Sequence, residues 1–435
     1  MLKSSYDRLR AWLSEQSPRA AAATRPAAGG RTWAPLLLAL LAAGAIELVG
    51  WLAPVRAAPA DAPPSLDAGV APSGAAGAVI EVHPLTSAAA LPSAARNVLV
   101  LYHSRTAQGR DVAVSGTVAI PRGAPPPAGW PVILWTHGTT GLAAACAPSR
   151  DQPGGPEHAY LGGVEALLDG YVRRGYAVVA TDYAGLGTPG VQPYLLGVDE
   201  GRDALDLLRA ARRMDRDVGS RYVVMGHSQG GQSALFTAAA GPSYAPELSL
   251  LGVAAMAPAS HIPQQIAITS RAAKPTPILV FSVYVLQSYA AFHPQADLRT
   301  ILTPAALAHL GDLQTGCFDQ AATSGYWSAA VPSDQFVRPF GKSTVPGLLA
   351  ATEPGLLKIK TPVLLAQGLV DTFIPPASTI AVARRLCHAG SPLTLRTYPG
   401  QDHVGVLKTS ANDVSAWVAD RFAGGPAPTT CPARR

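Results

Sequence analysis

The segment Gly226-His227-Ser228-Gln229-Gly230 has the pattern G-x-S-x-G. In a chain with 42 glycines the pattern alone carries little weight. Its setting carries more. The apolar run Arg221–Met225 (RYVVM) leads into it, and Gln229–Ala240 (QGGQSALFTAAA) continues from it with a helical composition. Strand, tight turn and helix together lift a serine hydroxyl out of a sheet, and small residues two before and two after the serine permit the strained turn. The helix start behind Ser228 adds a favourable dipole and a free backbone N–H, that of Gln229. Such a hydroxyl attacks an acyl carbon only if a base takes its proton and an acid fixes the tautomer of the base.

Where a serine sits on a turn of this kind, the acid and then the histidine follow it in chain order. Asp371 follows the apolar run Pro362–Ala366 (PVLLA) and is itself followed by Pro375-Pro376, which stiffen its loop. His403 follows Leu393–Tyr398 in Pro399-Gly400-Gln401-Asp402-His403. Of ten histidines it is the one that comes after a late strand, 32 residues beyond the candidate acid. His388 lies at a helix end, where a capping role suits it better. Asp402 is a rival acid, but its side chain points away from its neighbour's in most backbone geometries. Asp182 precedes the serine, the wrong order, and reads as a loop-shaping residue. A developing oxyanion needs donors. Trp135-Thr136-His137-Gly138-Thr139-Thr140-Gly141 follows a strand, so the N–H groups of Thr139, with Thr140 as the alternative, and of Gln229 are the candidate oxyanion hole.

The elements that position these residues alternate. Val98–Tyr102 and Val112–Ile120 form a hairpin around Gln108-Gly109-Arg110. Short apolar runs at 132–135, 176–181, 221–225 and 251–256 read as buried strands, with helices at 162–174, 199–214 and 229–240 between them. Alternation resumes with strand 362–366, helix 378–387, strand 393–397 and a last helix near Val414–Phe422. Buried strands joined by helices imply a mostly parallel sheet covered on both faces, which here is an α/β-hydrolase fold over residues 79–430. Residues of about 260–355 break the alternation and read as an inserted, partly helical cap over the carboxyl ends of the strands, where ligands bind. The apolar stretches Ile278–Phe281, Val283–Leu286 and Tyr289–Phe292 either form the cap's own core or line an acyl pocket through Phe281, Tyr289 or Phe292.

Composition sets the outer limits. Hydrophobic residues make up 48% and charged residues 14% of 435, which excludes a disordered chain and allows one large core. The net charge of +6 is mostly local. Residues 1–60 carry seven basic and three acidic groups, so the body is close to neutral and has no footprint for nucleic acid. In this basic leader an apolar run, Trp33–Ile46, is followed by Ala57-Ala58-Pro59-Ala60, which describes a secretory signal. An uncleaved membrane anchor over Trp33–Leu52 is the alternative, and Glu47 inside that stretch argues against it. Residues 61–78, rich in Pro and Ala, read as a flexible linker. In an exported chain, Cys146, Cys317, Cys387 and Cys431 suggest two disulfides, with three pairings open. Their spacing fits no zinc site, and no metal or cofactor is expected.

Taken together, Ala180-Thr181-Asp182-Tyr183, Gly187-Thr188-Pro189-Gly190, Gly226–Gly231, Tyr244–Leu248, Gly252–Ala255, Gln367-Gly368, Asp371 with Pro375-Pro376, and Asp402-His403 resemble the secretory lipase family of α/β-hydrolases. The resemblance runs from about residue 80 to the C-terminus. It implies hydrolysis of small-molecule or lipid esters without a cofactor, through Ser228, Asp371 and His403. It also implies the pairings Cys146–Cys317 and Cys387–Cys431. An amidase or peptidase would use the same triad, since both reactions pass through a tetrahedral oxyanion. A non-catalytic envelope binding protein is the reading from another class, and a complete Ser-Asp-His set speaks against it.

Overall fold

The computed structural model describes residues 74–433, except 338–339 and 343–344. The basic leader and most of the expected linker lie outside the described residues. The last five residues of that linker, 74–78, are held rather than free. The Gly74 N–H donates to Asp111 (2.8 Å) and the Gly77 N–H to the His103 carbonyl (2.7 Å). They lead directly into a strand that the sequence pattern does not announce, β1 (Val79–Pro84).

The sheet has nine strands in the order β1-β2-β3-β5-β4-β6-β7-β8-β9. These are β2 (Arg96–Arg105), β3 (Asp111–Ile120), β4 (Trp130–Thr136), β5 (Ala177–Thr181), β6 (Val218–His227), β7 (Ser249–Met256), β8 (Val363–Gly368) and β9 (Leu393–Tyr398). β1, β2 and β3 run antiparallel, and β3 meets β5 antiparallel. From β5 to β9 every pairing is parallel. The chain passes from β4 to β5 on one side and then back across it to β6 on the other. That reversal opens a crevice at the carboxyl ends of the strands, where open α/β sheets bind ligands.

Alternation along the central strands sorts side chains to two faces. On one face Val132, Leu134, Val224, Val253 and Leu365 pack with α2 (Gly197–Met214), α3 (Gln229–Tyr244) and α11 (Pro376–Ala389). On the other, Ile133, Trp135, Val223, Met225 and Leu364 pack with α1 (His158–Arg173) and α12 (Gly405–Phe422). The helix expected near Val414 thus starts nine residues earlier. Gly405, Thr409, Ser410 and Asn412 are weak helix formers that hide its first turns. Burial of Val406 and Leu407, and the Asp402 carboxylate accepting the Gly405 N–H (2.8 Å), hold those turns in place.

Residues between β7 and β8 build a cap with a core of its own. Its helices are α4 (Ile262–Thr269), α5 (Ile278–Phe292), α6 (Pro304–Ala308), α7 (Asp312–Thr315), α8 (Phe318–Thr323), α9 (Gly325–Ala329) and α10 (Val345–Ala350). Leu279, Val280, Val283, Tyr284, Leu286 and Tyr289 of α5 are all buried there. Two disulfides are present, Cys146–Cys317 and Cys387–Cys431. The first joins the cap to the loop after β4. An isolated bridge between Gly141 and Cys317, and the Phe318 N–H donating to the Thr140 carbonyl (2.9 Å), reinforce that joint. No helix of the described residues is long and apolar enough to cross a membrane.

Candidate active site

Four strands end at one place. β6 delivers Ser228, the loop after β8 delivers Asp371, the loop after β9 delivers His403, and the loop after β4 delivers Thr139. The turn at Ser228 is forced left-handed, with φ 59° and ψ −119°. Its two glycines are sterically required. A Cβ on Gly226 would lie 2.1 Å from the Gly230 carbonyl oxygen, and one on Gly230 would lie 2.0 Å from that of Thr136. The turn is also stitched to its neighbours. The Ser228 N–H donates to the Met256 carbonyl (2.9 Å), and the Ser228 carbonyl accepts from Ala259 (3.0 Å) and Gln232 (3.1 Å).

His403 Nε2 lies 2.9 Å from Ser228 Oγ, and His403 Nδ1 lies 2.8 Å from Asp371 Oδ2. A carboxylate accepts only, so Nδ1 carries the proton and Nε2 is left as the acceptor for the serine hydroxyl. Asp371 accepts three more bonds: from Phe373 N–H (2.9 Å) and Ile374 N–H (2.8 Å) on Oδ1, and from Gln367 Nε2 (3.1 Å) on Oδ2. Burial pushes its carboxyl upward, but the facing His403 and these donors outweigh burial and hold it below the usual carboxylate range. Asp371 is therefore ionised at any pH at which the protein is folded near neutrality. The Asp402 carboxylate is turned to Gly405 N–H and takes no part in this line.

His227 sits behind the serine and has two partners. Its Nε2 donates to the His403 carbonyl (2.8 Å), which leaves Nδ1 to accept from the Tyr160 hydroxyl (3.0 Å). Burial, with His403 nearby, pushes its imidazole down to about 3, so it stays neutral and keeps this tautomer. Neither Tyr160 nor this use of His227 is visible in the sequence pattern, which offers His227 only as the variable residue of the serine turn. Gln367 enters the sequence reading only as part of the family pattern, and its bond to Asp371 is not visible there.

Gln229 opens α3, so its backbone N–H is one of the donors a helix start leaves unpaired. Its side chain is fixed by Nε2 donating to the buried Glu200 (2.7 Å), which also accepts the Leu195 N–H (3.0 Å). Burial pushes the Glu200 carboxyl up to about 8, against the pull of those two donors, so it is protonated at neutral pH. The Thr139 hydroxyl meets that of Tyr194 at 2.6 Å. Thr139, Gln229, Ser228 and His403 all line one narrow cavity of about 40 Å³, whose remaining wall is largely aliphatic and includes Leu195, Ile262, Ile266 and Ile278. Phe281 reaches this cavity. The other two aromatics considered for it do not. Tyr289 is enclosed in the cap core, and Phe292 lines a separate groove beside Thr106 and Arg110. Most of α5 packs into the cap core, and Ile278, Phe281, Ser282 and Val285 are the part of it that reaches the cavity at the serine. Asp182 accepts Ser115 Oγ (2.7 Å), Ser149 N–H (2.9 Å) and Ser149 Oγ (2.5 Å), so it pins loops, while His403 Nδ1 is taken by Asp371.

The nine-stranded sheet with its capped strand ends defines an α/β-hydrolase. The chain belongs to the secretory lipase family, whose model matches residues 163–430, more than half of its length. Among solved structures it is similar to Candida antarctica lipase A in its closed state (TM-score 0.70, 18% identity, over 82% of this chain and 84% of that one). It is also similar to the rice cell wall degrading esterase LipA from Xanthomonas oryzae (TM-score 0.62, 20% identity, over 80% and 98%). At such identity the likeness is one of fold. No curated protein sequence matches the chain.

Proposed function

We propose that this protein is an exported serine hydrolase that cleaves carboxylic esters through an acyl-enzyme. The observation that carries the reading is the unbroken line Asp371–His403–Ser228, with the serine held at a left-handed turn. His403 Nε2 takes the Ser228 proton as Oγ attacks the ester carbonyl carbon. The carbonyl electron pair moves to its oxygen, which the N–H groups of Thr139 and Gln229 stabilise. The C–O bond to the alcohol then breaks, and His403 returns the proton to the departing oxygen. Water repeats the sequence on the acyl-enzyme and frees the acid and Ser228. Asp371, ionised and held by four donors, keeps His403 oriented and offsets its charge.

Family membership supports ester substrates, and the two disulfides support export, because such bonds persist in oxidising compartments. The test is a purified wild type and Ser228→Ala pair. Wild type hydrolyses acyl esters faster than matching amides and takes up a fluorophosphonate label. Ser228→Ala folds and does neither. Faster turnover of amides would make it an amidase, and unchanged turnover in Ser228→Ala would remove the serine assignment.

A further inference from the structure

The two oxyanion donors belong to separate elements, Thr139 to the loop after β4 and Gln229 to the start of α3. One oxygen takes both bonds only if each N–H stands about 2.7–3.1 Å from it, so the spacing of the two elements matters. A short segment between β5 and α2 touches both. The Tyr194 hydroxyl meets that of Thr139 (2.6 Å). The Leu195 N–H donates to Glu200 Oε1 (3.0 Å), the same oxygen that accepts Gln229 Nε2 (2.7 Å). Tyr194 and Leu195 are neighbours in the chain. An unbroken path therefore runs from one donor residue to the other, through Tyr194, Leu195 and Glu200.

The segment is held under strain. Leu195 has left-handed backbone (φ 59°), which a leucine adopts only where its surroundings over-determine it. Here they do. Besides Glu200, Gln232 Nε2 of α3 donates to the Leu195 carbonyl (3.2 Å). From the cap, Ser288 Oγ donates to the Gln192 carbonyl (2.9 Å), and the Tyr284 ring meets that of Tyr194 edge-on. Strain of this kind collects where function fixes the backbone. A role for Glu200 in capping α2 alone accounts for less. A glutamate that only capped the helix would need no bond to Gln229 and could keep its second oxygen in water. Glu200 is fully buried, and its Oε2 meets no partner among the described residues. That placement costs stability, so stability does not explain it.

We propose that Glu200, acting through Leu195 and Tyr194, is a positioning residue that sets the spacing of the two oxyanion donors. The inference rests on the ester-hydrolase reading above and deepens it. Glu200 touches no reacting atom. It decides where the donors stand when the carbonyl carbon becomes tetrahedral. One oxygen of the side chain accepts both bonds, which an amide oxygen can also do and an aliphatic side chain cannot.

Butanoate ester hydrolysis is measured at pH 7 in wild type, Glu200→Leu, Glu200→Gln and Tyr194→Phe. Binding of a trifluoromethyl ketone with the same acyl chain, and of the matching secondary alcohol, is measured beside it. Ser228 Oγ adds to the ketone carbon, the carbonyl electron pair moves to oxygen, and the serine proton passes to His403. That adduct loads the oxyanion hole as the transition state does, and the alcohol cannot form it. Glu200→Leu should lower kcat and kcat/KM alike, by about 30-fold or more, with KM within about twofold. Tyr194→Phe should lower both by about threefold to tenfold, and Glu200→Gln should stay within about threefold of wild type. Ketone affinity falls in step with kcat, and alcohol affinity holds. Gln229→Leu cuts the same link from its other end and keeps the backbone N–H, so it takes the place of Glu200→Leu should that variant not fold. Wild-type kcat in the leucine variant or in Tyr194→Phe overturns the positioning role. So does a loss in Glu200→Gln as deep as the leucine's, or an equal loss of ketone and alcohol affinity. A wild type that hydrolyses no ester overturns the ester reading and this inference with it.

Discussion

Replacing His227 by leucine tests whether the residue before the serine holds the general base in place. Leucine approximates the ring's bulk but has no polar atom. It leaves the His403 carbonyl and the Tyr160 hydroxyl without their partner, in a place where His227 is 1% and Tyr160 6% exposed. A buried polar group left unpaired costs about 1–3 kcal/mol, so the two together should lower stability at pH 7.5 by about 2–6 kcal/mol. The loss depends on pH in a way that identifies its source. The folded-state imidazole is pushed down to about 3, whereas in the unfolded chain it titrates near the ordinary 6.5. Between those values the unfolded chain binds one proton more, so wild type loses stability as pH falls from about 6.5 toward 3, by up to about 1.4 kcal/mol per pH unit. The variant lacks this group. The stability gap between the two proteins should therefore shrink by about 2 kcal/mol between pH 7.5 and pH 5. Catalysis should fall as well, because the freed His403 loop can shift, and a displacement near 1 Å costs on the order of 100-fold in kcat. Urea unfolding at the two pH values and ester turnover at pH 7.5 give all three numbers. A gap that is constant with pH, or full kcat in the variant, would refute the reasoning.

The strained turn at Ser228 predicts an inversion of the usual order. Ser228→Gly should be more stable than Ser228→Ala by about 1–2 kcal/mol, since both lack the hydroxyl and only glycine tolerates φ 59° freely; equal unfolding midpoints would show that the turn stores no strain. Glu200→Gln should gain stability relative to wild type as pH rises from about 5 to 8 and gain nothing further above it. The buried acid, pushed up to about 8, holds its proton in the folded state across that window while the unfolded chain has lost it, so wild type weakens as pH rises through it. Denaturation midpoints at pH 5, 6.5, 8 and 9 check the trend. Replacing both Cys146 and Cys317 by serine should cost about 5 kcal/mol, and replacing Cys387 and Cys431 about 4 kcal/mol, from closed loops of 171 and 44 residues. The first pair should also slow ester turnover, because it anchors the loop of Thr139, and the second should leave kcat alone; the reverse pattern would separate the cap joint from the site.

The residues with the most exacting local requirements were the most legible. Gly226 and Gly230 cannot carry a side chain where they stand, so the serine turn leaves a mark in the sequence that no ordinary loop leaves. The strands flanking it are buried on both faces and show as continuous apolar runs, which is why the parallel half of the sheet could be read off. β1 could not. It is an edge strand, half-buried, with Glu81 and His83 interrupting its apolar residues. Its place is set by pairing with β2, a partner that the local pattern does not reveal. The start of α12 was hidden for the same reason, since burial and the Asp402 bond to the Gly405 N–H override weak propensity there. The residues that brace the site, Tyr160, Gln367 and Glu200, are contributed by separate elements and meet only through tertiary packing. A run of apolar residues reports that a segment is buried, as it did for 278–292. It does not report whether that segment meets a core or a cavity, and so Phe281 could not be told from Tyr289.

The joint at Cys146–Cys317 has a mechanical consequence. The bridge, the Gly141–Cys317 pairing and the Phe318 N–H bond to Thr140 fasten one margin of the cap to the same loop that presents Thr139. Cap and loop therefore cannot be repacked independently: a change that shifts the backbone at Cys317 or Phe318 is passed through a covalent link and a backbone bond to the segment that presents Thr139.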